Sequence, residues 1–343
     1  MTFWPQLRFL GVVVLMTGCA SVHRPTSTLT GAYSATTALP LLPGTGPGTY
    51  RSYPDDRVLQ FRSPDGTCPV KLPSVWQQEE SRRPDQPPVM PGILLINSSG
   101  LGIDEAEISN QEWHQYQLHQ EQAGVSSAIL RPHSEALPVP DYYIDPFYRY
   151  YPVVGISREQ AEAFCRWRSR IVTRFVNEGL HQTDSLAPNY LRCVYRLPTE
   201  AEWEQAANNT ACTDLPVRVE PAAAAYLKRR SGSAVSEIQI KADIVLYNSR
   251  QPVRSVVNYQ QAEPYFLQLP TPGYAYQDPA NKLGVYHLFG NVAELVQEPG
   301  ITKGGSYRDA LEACTVQVRG TYAGPAPTVG FRCVADVHYP NRR

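Results

Sequence analysis

The sequence predicts one irregular, loop-rich domain of mixed helix and strand behind a long leader. Three observations predict it. Proline and glycine are abundant, 31 and 23 of 343 residues, and tyrosine outnumbers phenylalanine 21 to 9, a composition of loops more than of long regular elements. From Ala20 to about Pro91 the chain is rich in Thr, Ser, Gly and Pro, with PLLPGTGPGTY and RRPDQPP as its plainest tracts. Beyond Pro91, strand-like runs alternate with strong helix-start signals. The formal net charge of −1 gives no electrostatic footprint for DNA or RNA, so no nucleic-acid partner is expected.

The first element is a leader. MTFWPQLRFLGVVVLMTGCAS carries Arg8, an apolar run from Phe9 to Met16 and the small pair Thr17-Gly18 before Cys19. Eight apolar residues are too few to span a bilayer but suit a signal-peptide core. The ending LMTGC resembles a bacterial lipoprotein signal, which implies removal of residues 1–18 and lipidation of Cys19. A plain secretory signal with a chance cysteine is the alternative. Acyl chains on Cys19 would hold the protein on a membrane, and Ala20 after the cysteine resembles outer-membrane sorting. Residues 19–91 read as a flexible tether with a short ordered piece around Cys68.

Export makes disulfides permissible. Six further cysteines remain, Cys68, Cys165, Cys193, Cys212, Cys314 and Cys333, enough for three bridges in fifteen possible pairings. None forms C-x-x-C, so a zinc ribbon or thioredoxin-type site has no support.

The domain is expected over residues 92–338, with 339–343 as a tail. ILLINSSGLGIDEAEISNQEWHQYQLHQ reads as a strand, a turn and a helix capped by Ser109, with Glu112 as capping-box partner. His114 and His119 stand about 140° apart around that helix, so a shared metal is not expected and a solvated face is. YYIDPFYRYYPVV suits either loop packing or an exposed partner surface. In GISREQAEAFCRWRSRIVTRFVNEG a Ser157–Gln160 capping box opens a helix that Gly179 follows, with Phe164, Trp167, Ile171 and Phe175 as its buried stripe. In YRLPTEAEWEQAA, Thr199 and Glu202 make another capping box before Trp203.

YRLPTEAEWEQAA also resembles the signature of the formylglycine-generating enzyme, or sulfatase-modifying-factor, domain. GVYHLFGNVAELVQE (284–298), KGGSY (303–307), GFRCVAD (330–336) and IDEAEISNQEW (103–113) resemble its other segments in order. The resemblance implies a compact, irregular α+β fold related to C-type lectins, with frequent calcium sites, and a bridge between Cys165 and Cys333. FYRYYPVVGISREQAEAFCRWRS, with KGGSYRD and GFRC, is similar to the lipoproteins of gliding motility and type IX protein secretion. That likeness implies an envelope protein, on the outer membrane through a lipid anchor, with cell-envelope proteins as partners.

In the family's oxidases two thiolates hold copper, and their positions here are Asp309 and Cys314. A carboxylate is a poor replacement for a thiolate at Cu(I), so no copper is expected. Ser306 matches the active-site serine, yet a serine in a glycine turn is more often a backbone hydrogen-bonder. Ala293 and Leu295 replace two tryptophans. Other enzymes with this domain bind iron through a histidine-rich motif on an added helical bundle, which this leader does not resemble. Gly290, Val292 and Glu294 match one family calcium site, whose hard oxygen ligands suit that ion; a turn packed by Glu294 is the alternative. There is no G-x-S-x-G, H-E-x-x-H or phosphate loop. A structural or partner-binding envelope protein is therefore expected. The alternative is a diverged oxidase or another enzyme on this fold, using Cys314 and Ser306.

Overall fold

Two small four-stranded sheets and one long helix organise the domain. The computed structural model describes residues 34–37, 39, 90–97, 100–208, 236–250, 258, 270–276, 280, 281 and 283–341. Cys19, Cys68 and Cys212 lie outside them. Strands β1 (Ile93–Leu95), β2 (Gly102–Asp104), β3 (Arg192–Arg196) and β8 (Val334–His338) form one antiparallel sheet in the order β1-β2-β8-β3. Strands β4 (Ala293–Leu295), β5 (Ile301–Lys303), β6 (Gly320–Thr321) and β7 (Val329–Gly330) form the second in the order β6-β5-β4-β7, with β4 and β7 parallel. Helices are α1 (Asn110–Gln122), α2 (Arg158–Gly179), α3 (Glu200–Ala207) and α4 (Glu237–Arg250). This is the irregular α+β arrangement expected, with most of the described residues in loops and turns.

Local chemistry starts the helices where it should. Ser157 and Gln160 exchange both capping-box bonds at α2, and Thr199 and Glu202 do so at α3. Ser109 caps α1 by accepting from the Glu112 amide, but the Glu112 side chain does not return the bond; it is used elsewhere.

Helix α2 lies on β3, the edge strand of the first sheet, and seals its open side. Ser169 and Thr173 accept from the Tyr195 and Cys193 amides at 2.8 and 3.0 Å, and Asn177 accepts from Leu191 at 3.0 Å. Polar side chains at helical spacing thus satisfy an edge that would otherwise invite another strand. The helix face toward the core carries Ala161, Phe164, Cys165, Trp167, Arg168 and Val172, while Ile171 and Phe175 are only partly buried. The buried stripe is therefore rotated from the expected one, and an arginine sits inside it.

Two further expectations change. His114 is buried, stacked on Tyr143 with ring centroids 4.1 Å apart, and its Nε2 lies 2.8 Å from the Tyr143 carbonyl. Burial lowers its pKa to about 4. His119 meets the edge of Trp167 instead, so the two imidazoles take separate partners and His114 is not on a solvated face. The tyrosine tract is packing: Tyr142, Tyr143, Tyr150 and Tyr151 are buried. Residues 19–91 are not a tether throughout, because Ser34, Thr36, Thr37 and Met90 are buried in the domain.

Candidate functional site

The stretch 303–314 leaves the edge of β5 and turns twice. Gly304 and Gly305 hold positive φ of 89° and 67°, and a Cβ on Gly305 would stand 2.8 Å from the Cys314 sulfur. Ser306 and Asp309 close the turn on themselves: the Ser306 amide and hydroxyl both donate to Asp309 Oδ2, at 2.8 and 2.6 Å. Cys314 follows a short 3-10 turn, with its thiol toward the carbonyls of Ser306 and Ala310 at 3.9 and 3.6 Å. Lys303, fully buried, is held by Glu200 and Glu204 of α3 at 3.1 and 2.8 Å.

The structure thus brings Ser306, Asp309 and Cys314 together, but as a packed turn. Ser306 is fully buried and Cys314 nearly so. Burial, and then the Asp309 charge, push the Cys314 thiol up to about 12, so it is protonated at neutral pH. The donor set is one inert thiol and one carboxylate already committed to Ser306, and it does not fit Cu(I), which needs soft thiolates.

Glu294 belongs to a different buried centre. Its carboxylate faces the Arg332 guanidinium, with Nε at 2.8 Å from both oxygens and Nη2 at 2.6 Å from Oε1, and it accepts from Trp203 Nε1 at 2.8 Å. Arg332 also donates to the carbonyls of Asp104 and Tyr286. Both carboxylate oxygens thus already face the guanidinium, and Oε2 an indole donor as well. Gly290 and Val292 are neighbours of this centre on the β4 turn, where Gly290 donates its amide to Gly304 at 2.8 Å. The expected calcium set does not fit as these residues stand, and the packed-turn alternative describes it. Among the described residues no three His, Cys, Asp or Glu side chains are grouped to hold a metal.

Cys165 and Cys333 are brought together from α2 and the start of β8, their sulfurs 3.2 Å apart and buried, as free thiols. Cys193 and Cys314 are free and buried as well.

Sequence reasoning missed a set of buried charges. Asp104 receives a bidentate bond from Arg168, at 2.7 and 2.8 Å, and the Cys333 amide at 2.7 Å. Burial opposes the Arg168 charge and Asp104 more than offsets it, so the guanidinium is held above its ordinary pKa. Glu105 accepts from Tyr276 at 3.0 Å and Glu107 from Asn291 at 2.9 Å, while the second oxygen of each has no partner. Burial raises both to about 8. A small cavity lies between these acids, Glu112 and Tyr276, with Ala35 and Thr36 across it. The available signal was Arg168 itself, which falls four residues after Phe164 and four before Val172, inside an apolar stripe where a lone charge demands a partner.

The family described as the sulfatase-modifying factor enzyme 1-like domain matches residues 94–337. Search of the curated proteins gives no match. Among solved structures, CarF aligns over 68% of this chain and 85% of its own, at 19% identity and a TM-score of 0.39. Treponema denticola variable protein 1 aligns over 71% and 90%, at 17% identity and 0.36. PvdO from Pseudomonas aeruginosa aligns over 74% and 86%, at 13% identity and 0.39. Scores this low add nothing to what the family match gives.

Proposed function

The chain belongs to the sulfatase-modifying factor enzyme 1-like domain family, and we propose that it is a lipid-anchored envelope protein whose domain binds or braces a partner instead of catalysing the family's oxidation. One observation carries the reading. The position where an oxidase needs a pair of thiolates holds Asp309, tied to Ser306, and Cys314, a buried thiol raised to about 12. Copper chemistry would call for two exposed soft ligands there.

The envelope role is supported by the lipoprotein-like ending LMTGC at Cys19, and the place in gliding motility or type IX secretion by the similarity of FYRYYPVVGISREQAEAFCRWRS to those lipoproteins. No helix among the described residues is long and apolar enough to cross a membrane. Partners are other envelope proteins; calcium is left aside, since Glu294 is engaged by Arg332.

The reading is tested in two steps. Cys19→Ala should release the protein from membranes after a carbonate wash, and retention would sink the anchor. Competition for Cu(I) against a chromophoric chelator should show no copper bound by the purified domain, and a stoichiometric site lost in Cys314→Ser would restore the enzyme alternative.

A further inference from the structure

The segment Ser34–Thr37 is held on the domain by groups that are otherwise buried charges. Ser34 and Thr36 donate their hydroxyls to Glu112 Oε2, each at 2.6 Å, and the Ala35 amide donates to Glu112 Oε1 at 3.0 Å. Arg168 Nε donates to the Thr36 carbonyl at 2.8 Å, and the same guanidinium reaches Pro91 and Asp104. The contact is built on both sides. Gly92, at φ +71°, lies so close under the segment that a Cβ there would stand 2.6 Å from the Ala35 carbonyl. Ser34 and Thr37 are fully buried, and the segment closes one wall of the cavity next to Glu105 and Glu107.

Glu112 lies on the buried face of α1, and the segment supplies three of its donors. A carboxylate in that position without them would lose several charge-assisted bonds. The bonds read main chain as well as side chain: one amide, one carbonyl, and two hydroxyls spaced i, i+2. That is how an extended or turning peptide is gripped, and the groups come from three separate elements.

The geometry points to a clasp: Ser34–Thr37 fastens the leader to the domain, so that the anchor line to the membrane ends at Ser34 and the domain is a membrane-proximal body facing the lipid surface. This rests on the proposed lipidation of Cys19. Ser34 stands 15 positions after Cys19 and Met90 stands 71 after it. At full extension of about 3.5 Å per residue the first spans about 50 Å and the second about 250 Å. Thr37 and Met90 are both buried in the domain, so the residues between them add nothing to the reach. The point at which the leader grips the domain is therefore held within about 50 Å of the bilayer.

The test uses the full lipidated chain in nanodiscs, with a fluorescent donor at the C-terminus and acceptor lipids. A twenty-residue Gly-Ser insertion between Thr28 and Leu29 should lower energy transfer, whereas the same insertion between Gln60 and Phe61 should leave it unchanged. An equal fall for both insertions would overturn the clasp. Failure of every form to join the nanodisc would instead count against lipidation, and amide exchange on the unlipidated chain then decides the clasp. The Ala35 amide should be protected in the parent and lose at least tenfold protection in Ser34→Ala/Thr36→Val, with Val194 in β3 unaffected. Exchange of Ala35 at the unprotected rate in the parent would refute it.

Discussion

A thiol acts as ligand or nucleophile only as the thiolate, and the residues around Cys314 disfavour that form. Burial and the Asp309 charge both act against ionisation, and the hydroxyl that could have served as a partner, on Ser306, is given to Asp309. Glu105 shows the same physics in a carboxylate: burial raises it to about 8, against an ordinary 4.5, with Tyr276 opposing and Asp104 adding. A carboxyl raised in the folded state binds its proton more tightly there than in the unfolded chain. Its contribution is therefore complete below about 4.5 and is lost as pH rises to about 8. Melting temperature should fall over that window, and Glu105→Gln should flatten the fall; an unchanged slope in the variant would show that Glu105 is not the group responsible. At Cys165 and Cys333 the sulfurs are already adjacent. In an oxidising compartment they should bridge and stabilise the domain by about 5 kcal/mol in the chain-entropy model. Peptide mapping without reduction should recover the linked peptides, and two alkylatable thiols would refute the bridge.

Elements with local start signals were legible in the sequence. Ser157 with Gln160 and Thr199 with Glu202 bond within one helical turn, so the residues that define the cap are neighbours in the chain. Helix α3 matters beyond its own turn, because it presents Trp203 to Glu294 and Glu200 and Glu204 to Lys303. Thr199→Ala should cost about 1 kcal/mol in a denaturant titration, and a change below the noise of the measurement would mean that tertiary contacts alone set the helix start. Arg168 was legible as a charge in need of a partner, but Asp104 as that partner was not, since it is 64 residues away and nothing local marks the pair. The leader segment was misread for the same reason. A Ser- and Thr-rich stretch suits a tether by composition, and only the distant Glu112, 78 residues beyond Ser34, and Arg168 make it part of the domain.

At the scale of the whole molecule, the family pattern was a good guide to the fold, because YRLPTEAEWEQAA carries the end of β3 into helix α3, and GNVAEL, KGGSY and GFRC occupy strands and turns of the two sheets. The same pattern was a weaker guide to chemistry. Gly290, Val292 and Glu294 are present, but Arg332 faces the carboxylate from the GFRC segment, and no spacing in the sequence says which of two neighbours a buried acid will choose. Among the described residues Asp104, Glu294 and Lys303 are paired internally, and the candidate nucleophiles Ser306 and Cys314 are buried. The most direct test supplies the purified domain with Cu(I), oxygen and a sulfatase-type cysteine peptide and follows the aldehyde by mass spectrometry. No aldehyde above the enzyme-free control is predicted, and steady turnover that disappears in Cys314→Ser would contradict the account.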